Sequence, residues 1–261
     1  MKYAADFRAI ARGALRGKWS TAVLTGFIAA LIGATIGTGS SSSVELPEDW
    51  QTNPVFQPIF PLLLTLASFL TVYAIIVMII GGAGKLGYAT FNLNLVDGKP
   101  AALSDLFSQF YRFGDGFCMN LLVGLYTALW SLLFIIPGLI KIYSYSMTPY
   151  ILAEHPEMSV NEAITESRRM MDGNKGRLFC LELSFIGWSL LILLPMFLLI
   201  PLVFIGAAGA ILWLLLGTAS AIVGGLFLRP YTEAARAAFY REVSGTEQAE
   251  APATEEAYDN Y

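Results

Sequence analysis

Three glycines at the spacing GxGxxG are the residues of this chain that most resemble a chemical site. Gly82, Gly84 and Gly87 have the spacing of a dinucleotide-binding turn, in which backbone N–H groups meet a pyrophosphate. That turn requires a β-strand before it and a helix N-terminus after it. Here a long apolar segment precedes the glycines, so the pattern predicts close packing or bending of a helix at a membrane boundary. Lys85 does not complete a phosphate-binding loop either, because Leu86 stands where serine or threonine is required.

The other residue types used in catalysis occur in isolation. His155 is the only histidine, whereas serine–histidine catalysis and histidine-bound metals need further partners, so a loop residue is expected. Glu162 and Glu166 lie one helical turn apart beside two arginines, which favours surface ion pairs over acid–base chemistry. Cys118 and Cys180 lie in or beside apolar runs and form no CxxC pair, which predicts buried, inert thiols. The sequence therefore predicts no catalytic residue, no metal site and no cofactor site, and a protein that is not an enzyme.

The composition predicts a polytopic transmembrane helix bundle. The chain has 261 residues, of which 56% are hydrophobic and 14% charged, and its mean hydropathy is +0.60. Soluble domains carry about 25% charged residues, and one core of this size cannot bury so much apolar surface. No basic groove interleaved with aromatic residues indicates nucleic-acid binding.

Apolar runs predict about six membrane-spanning helices, since each needs about 20 apolar residues. The predicted spans are 20–36, 59–80, 117–136, 139–153, 178–198 and 203–228. The fourth is short and polar, so whether it crosses fully stays open. Residues 178–228 are too long for a single crossing, and Pro195 and Pro201 predict the turn between the last two spans.

The distribution of positive charge predicts the orientation. With six spans, 15 of the 16 lysines and arginines fall on one side, and only Lys141 falls on the other. Because lysine and arginine are enriched in cytoplasmic loops, both termini are predicted to be cytoplasmic. The predicted membrane domain covers residues 1–243, and an acidic, disordered tail covers residues 244–261.

Three cytoplasmic segments are predicted to be amphipathic helices that lie on the membrane surface. The first places Phe7 and other apolar residues opposite a row of arginines. The second begins with a capping box at Ser159 and Glu162. The third covers residues 232–242, with Phe239 on its buried side.

Charged residues at the predicted interface are the candidate functional residues. Arg168, Arg169 and Arg177 are predicted to be exposed and suited to anionic lipid or an acidic partner segment. Lys141 and Glu182 lie within apolar runs, where ionisable residues are costly. Lys141 is expected to snorkel toward the outer surface. Glu182 is expected to pair with a cytoplasmic-side arginine or to lie by Asn120.

Small residues recur every four positions in the first and last spans, which permits close helix approach. These small residues predict that spans one and six pack closely, either with each other or with a partner chain. The partner chain could equally be a second copy of the same protein. We call each such row of small residues a ridge. Span one has two ridges, Gly26–Ala30–Ala34 and Ala29–Gly33–Gly37, and span six has one, Gly217–Ala221–Gly225.

Several segments together resemble a bacterial integral-membrane family, domain of unknown function nine hundred and seventy-five. The segments are Ile135-Ile136-Pro137-Gly138, Lys141 to Met147, Asn161-Glu162-Ala163-Ile164, Ser167 to Gly173, Arg177-Leu178-Phe179, Ile186-Gly187-Trp188 and Pro230-Tyr231. The resemblance covers nearly the whole chain and implies a multi-pass cell-membrane protein. It implies no activity, because the family has none assigned.

Two main functions stay open. The small outer surface and the substantial amphipathic cytoplasmic face favour a non-catalytic membrane scaffold or partner-binding module that contacts anionic lipid. Lys141, Glu182, Asn120 and the proline-broken helices favour a transporter or channel for a small solute or lipid.

Overall fold

The computed structural model describes residues 2–33 and 60–250, and every regular element in this part of the chain is helical. Ten α-helices are present there, with two short 3₁₀ helices between α3 and α4 and one between α9 and α10. The helices are α1 (Ala4–Leu15), α2 (Trp19–Leu31), α3 (Phe60–Val96), α4 (Phe113–Leu133), α5 (Ile135–Tyr145), α6 (Thr148–Glu154), α7 (Val160–Met170), α8 (Lys175–Leu183), α9 (Ile186–Leu198) and α10 (Ala207–Glu250). The all-α class is therefore confirmed for the described residues.

Local signals fix the ends of α7 as predicted. The Ser159 hydroxyl accepts a hydrogen bond from the Glu162 backbone N–H at 3.4 Å. The Glu162 carboxylate in turn accepts one from the Ser159 N–H at 2.8 Å, which completes the capping box. Beyond the helix, Gly173 has a φ of 74°, a left-handed conformation that suits glycine at a helix stop.

Four helical segments are long and apolar enough to cross a membrane: Ala67–Val96, Leu103–Leu133, Lys175–Leu202 and Leu212–Gly245. They coincide with the predicted second, third, fifth and sixth spans. In the first predicted span, the 13-residue α2 ends beside α3, where the Tyr73 hydroxyl donates to the Leu31 carbonyl at 2.7 Å. Residues 34–36 of that span and the segment 37–58 lie outside the described residues.

The predicted fourth span is two helices rather than one. Chain direction reverses at the extended Phe134, and α5 then runs back along α4, with the Tyr145 ring 6.3 Å from the Tyr126 ring. The helix breaks at Ser146, and α6 then continues in the same direction. Near the end of α6, the Leu152 carbonyl accepts a hydrogen bond from Arg112, the residue just before the start of α4. The two helices together therefore retrace the length of α4.

The last two long segments form an antiparallel hairpin. Ser220 donates to the Ile192 carbonyl at 2.9 Å, and the Trp213 indole donates to the Met196 carbonyl at 2.8 Å. The chain turns between α9 and α10 at Gly206, whose φ is 113°. The expectation that Pro195 marks the turn is wrong, because Pro195 lies inside α9.

Burial divides α3 and α10 sharply along their length. In α3 nearly every described side chain before Gly81 is exposed or half-buried, whereas most residues from 81 to 95 are buried. In α10 the change comes at Pro230, and residues 233–235 and 237–240 are buried. We call the packed part the core end; it consists of α1, α6, α7, residues 81–96 of α3 and residues 230–243 of α10. The opposite halves expose apolar side chains, as a lipid-facing surface does.

Two predicted surface helices belong to this core end, and their apolar stripes pack against protein rather than lipid. Phe7 of α1 is 1% exposed and packs edge-on against Phe239, with ring centroids 5.3 Å apart. In α7, Ala163 and Ile164 are buried in the same way. A helix with one apolar stripe can bury it in lipid or in protein, and here the stripe faces protein. Residues 232–242 are a continuation of α10, with Phe239 buried as predicted.

The GxGxxG glycines serve close helix packing, as predicted. A Cβ atom on Gly82 would lie 2.0 Å from the Gly116 carbonyl oxygen, and one on Gly87 would lie 2.0 Å from that of Leu106. Only a residue without a side chain permits this approach of two backbones.

The small-residue ridges are only partly used. A Cβ atom on Gly33 would lie 2.0 Å from Val77 of α3, and one on Gly217 would lie 3.3 Å from Met196 of α9. Gly225 has nothing within 4 Å of that position among the described residues.

A Cβ atom on Gly26 of α2 would lie 3.1 Å from the Tyr88 hydroxyl of α3 and 3.9 Å from Pro230 of α10. The Trp19 and Phe227 rings, 6.4 Å apart, also place α2 beside α10, so the predicted contact between spans one and six is confirmed. Ala34 and Gly37 lie outside the described residues.

Candidate functional site

Polar and charged residues of the described chain gather at the core end. Arg241 of α10 makes two hydrogen bonds to Asp97, at 2.6 and 2.7 Å, and a third to Glu154. The Tyr240 hydroxyl also donates to Glu154, at 2.8 Å. These contacts tie together the chain after α3, the end of α6 and the end of α10. A bidentate arginine–carboxylate pair fixes geometry more strictly than a single contact does.

The predicted candidate Arg177 forms a second connection of this kind. Its guanidinium donates to the Glu242 carboxylate and, at 3.0 Å, to the Lys2 carbonyl, and it lies 5.6 Å from the centre of the Phe239 ring. The side chain is 22% exposed. The expectation of an exposed Arg177 is wrong, because the residue joins α8 to the N-terminal segment and to α10.

The predicted candidate Glu182 pairs with an arginine of α10 rather than lying by Asn120. Arg236 donates to Glu182 at 2.7 Å and to Glu233 at 3.2 Å, while the Tyr143 hydroxyl donates to Glu182 at 2.8 Å. Glu233 is 6% exposed. One guanidinium thus contacts two carboxyl groups, and the cluster connects α5, α8 and α10.

Asn120 has a different partner within the apolar helices. The Lys85 amino group donates to the Asn120 amide oxygen at 2.6 Å, and the Asn120 amide donates to the Met78 carbonyl at 3.3 Å. A lysine within a candidate span is costly without such a partner. This pair joins α3 to α4 beside the Gly82–Gly116 contact.

Arg168 and Arg169 are both exposed on α7, but they differ in their contacts. Arg169 forms a two-point ion pair with Glu166, at 2.7 and 3.1 Å. Arg168 makes no hydrogen bond or ion pair with any residue in the described part of the chain. Its charge acts on Lys141 and on Tyr145 of α5.

Lys141 of α5 contacts an aromatic side chain of α4. Its amino group lies 4.6 Å from the centre of the Trp130 ring, a cation–π contact. Trp130 lies three residues before the end of α4 at Leu133, close to the reversal at Phe134. That Lys141 snorkels toward the outer surface stays a prediction.

The isolated residues are distributed over the surface. His155 lies 3.1 Å from the exposed Glu157. Cys118 and Cys180 are exposed on the outside of apolar helices, so the prediction of buried thiols is wrong, although both are free. In the described residues no three His, Cys, Asp or Glu side chains are placed to hold a metal ion.

Sequence reasoning missed the residues that organise the core end. Arg236 and Arg241 were counted only among the basic residues that predict the orientation, and Glu154 and Glu233 were given no role. The signal for Glu233 and Arg236 was their i, i+3 spacing on one helix, which permits an ion pair. Their partners on α3, α6 and α8 are distant in sequence and left no local signal.

Four long apolar helices, with charged side chains gathered at one end of the described chain, suggest a membrane protein. The comparisons with known proteins then identify its family. Residues 1–144 and 135–247 match the family described as protein of unknown function (DUF975), and the chain belongs to that family. No curated protein and no solved structure matches it.

Proposed function

We propose that this is a six-span cell-membrane protein whose core end lies in the cytoplasm, where it binds partners without catalysis. One observation supports this most: basic segments separated by predicted spans meet at the core end. Arg177 and Arg241, from segments after the fourth and sixth spans, bind residues next to the N-terminus and after α3. Positively charged segments that lie together on one side are expected in the cytoplasm.

The path of α5 and α6 supports an even number of crossings. Because these helices retrace α4, the chain enters and leaves the membrane on the same side in this region. The same holds for the α8–α9 and α10 hairpin, whose ends meet where Arg177 binds Glu242. With α2 and α3 as the first pair, both termini lie on the cytoplasmic side.

Cysteine labelling tests this topology. In a background with Cys118 and Cys180 replaced, one variant carries Lys99→Cys at the core end and another Pro201→Cys between α9 and α10. A membrane-impermeant thiol reagent added outside intact cells should label the Pro201 variant and should reach the Lys99 variant only after permeabilisation. The reverse pattern would contradict the topology.

Partner binding is tested at α7, which presents the exposed arginines. A variant with Arg168→Glu and Arg169→Glu should insert normally and lose the membrane-protein partners that crosslinking captures with the native chain. The matched control is Arg16→Glu, a charge reversal on another exposed arginine of the described chain. Retention of every partner by the α7 variant would contradict the proposal.

A transporter or channel is the second candidate, and Lys85 is the observation that favours it. Its amino group lies within a candidate span and is bonded to Asn120. Ionisable residues at such positions often line transport pathways. If Lys85 lines a transport pathway, replacing it with methionine should abolish solute flux in liposomes. If the Lys85–Asn120 pair is purely structural, the same replacement should lower only the thermal stability.

A further inference from the structure

Two arginines of α1 stand side by side at the surface of the core end. Arg8 and Arg12 are one helical turn apart, so they lie on the same side of α1. The Arg12 Nε donates to the Arg8 carbonyl at 3.4 Å, which holds the Arg12 side chain back toward Arg8. Neither guanidinium has a carboxylate partner among the described residues. Two neighbouring positive charges are therefore not neutralised within the described chain.

Arg8 also connects α1 to the junction between α8 and α9. Its Nη1 donates to the Ser184 carbonyl at 3.3 Å. Ser184 and Phe185 are the two residues between these helices. A guanidinium has five N–H donors, so the Arg8 side chain keeps four for a further acceptor.

The burial of side chains changes at this same junction. Phe185 is 5% exposed, whereas none of the described side chains of α9, which begins at Ile186, is buried. The Phe185 ring packs edge-on against the Tyr231 ring of α10, with centroids 5.0 Å apart. Tyr231 directly follows Pro230, where the burial of α10 changes. Two helices thus leave the packed core end at one level, and the Arg8 guanidinium lies at that level.

Exposed apolar side chains begin directly beyond the Arg8 contact. Ser184 and Phe185 keep helical backbone angles, so Trp188 and Leu191 lie one and two turns beyond Ser184 on the same side of the segment. They are 52% and 57% exposed. Tryptophan is enriched at the level of lipid head groups. A pair of cations next to an exposed apolar strip matches a molecule with an anionic head and hydrocarbon chains.

We propose that Arg8 and Arg12 bind the phosphate of an anionic phospholipid whose acyl chains lie along α9. This site rests on the proposed function, because the core end must face the anionic cytoplasmic leaflet. A guanidinium suits phosphate, since it donates to two of its oxygens at once. A free phosphate ion shares the head-group chemistry, but it makes no contact with Trp188 and Leu191.

The test follows the thermal unfolding of the purified full-length chain in a neutral detergent during titration with three probes. These are dihexanoyl phosphatidylglycerol, dihexanoyl phosphatidylcholine and inorganic phosphate. Phosphatidylglycerol should raise the Tm saturably, because a ligand that binds only the folded state stabilises it. The other two probes should raise the Tm much less at the same concentration. An equal response to phosphatidylcholine would overturn the role of the arginines, and an equal response to phosphate would overturn the lipid as ligand.

Variants locate the site on α1. Arg12→Gln should increase the phosphatidylglycerol concentration needed for half of the Tm rise about fivefold, the weight of one basic residue near anionic lipid. The bond of Arg12 in the described chain is to its own helix, so this variant leaves the contacts between helices intact. Arg8→Gln should have the same effect on the titration and also lower the Tm without lipid, because it removes the bond to Ser184.

The matched control is Arg168→Gln, which removes the same charge from an exposed arginine of α7. Its titration with phosphatidylglycerol should equal that of the native chain. An unchanged titration for Arg12→Gln, or an equal shift for Arg168→Gln, would overturn the proposed site.

The two proposals fail separately. Labelling of the Lys99 variant from outside would refute the cytoplasmic position of the core end, whatever the lipid titration gives. Correct labelling and partner loss, combined with no preference for phosphatidylglycerol, would refute only the lipid site.

Discussion

Arg236 of α10 holds Glu182 of α8 at 2.7 Å, and the same guanidinium lies 3.2 Å from Glu233. The side chains of Arg236 and Glu182 are 17% and 31% exposed, respectively. This single cation is therefore the shared partner of two carboxylates that come from different helices. It provides a partner for Glu182, an acidic residue in an apolar run.

Replacing Arg236 with methionine should lower the free energy of unfolding by about 2–4 kcal/mol, because it leaves two partly buried carboxylates without their cation. The measurement is thermal or chemical unfolding in detergent. The control is Arg168→Met, an exposed arginine whose loss should cost less than about 0.5 kcal/mol. Adding Glu233→Gln to the Arg236 variant should restore part of the loss. Equal stability of the Arg236 and Arg168 variants would contradict the assigned role.

Gly116→Ala should destabilise the protein by about 1–3 kcal/mol, the usual cost of overpacking. The added Cβ would lie 2.4 Å from the Ala83 nitrogen and 2.6 Å from the Gly82 carbonyl carbon, and neither backbone atom can move aside easily. Gly114→Ala in the same helix is the matched control. It meets nothing within 4 Å in the described residues and should be neutral or stabilising by up to about 1 kcal/mol. Equal melting temperatures for the two variants would refute the close contact.

Two adjacent glycines of α10 should respond oppositely to leucine. A Cβ atom on Gly224 would lie 2.5 Å from the Ile192 side chain, whereas Gly225 has open space there among the described residues. Gly224→Leu should therefore lower the Tm in detergent by separating α10 from α9, and Gly225→Leu should leave the Tm nearly unchanged. A larger loss for Gly225→Leu would indicate that this side packs against another chain, as the small-residue ridge first suggested.

The ion pair between Asp97 and Arg241 should make stability depend on acid pH. Burial acts to raise the pKa of Asp97, but hydrogen bonds from Arg241 and Lys99 outweigh it and lower the pKa below its ordinary 3.8. The pair therefore stabilises the fold fully above the unfolded-state pKa, and this contribution disappears as the pH falls through the lower folded-state pKa.

The measurement is the Tm difference between the native chain and Asp97→Asn across pH. The difference should stay constant from about pH 7 to pH 5 and shrink below about pH 4. A difference that grew as the pH fell would show that the sign of this linkage is wrong.

Local features of this structure could be predicted because their causes lie within a few residues. Long helices with exposed apolar side chains are present at the predicted apolar runs 59–80, 117–136, 178–198 and 203–228. Their side chains are exposed because the packed core end has no surface left that could bury so many of them. The Ser159–Glu162 capping box and the Gly173 stop depend only on neighbouring backbone groups. The packing role of Gly82 followed from the absence of a strand before it. For the charged candidate residues, the sequence showed the residue types but not the partners that they bind.

The tertiary structure decided which partners those residues meet. An apolar stripe such as that of α1 looks the same in sequence whether it faces lipid or protein, and only the contact with Phe239 distinguishes the two. Glu182 could pair with any nearby arginine, and the antiparallel register of α8–α9 and α10 selected Arg236. The hydrogen bond from the Ser167 hydroxyl to the Ser144 carbonyl placed α7, with Arg168, beside α5. Each of these outcomes depends on contacts between residues far apart in the chain, which hydrophobic periodicity and charge counting do not encode.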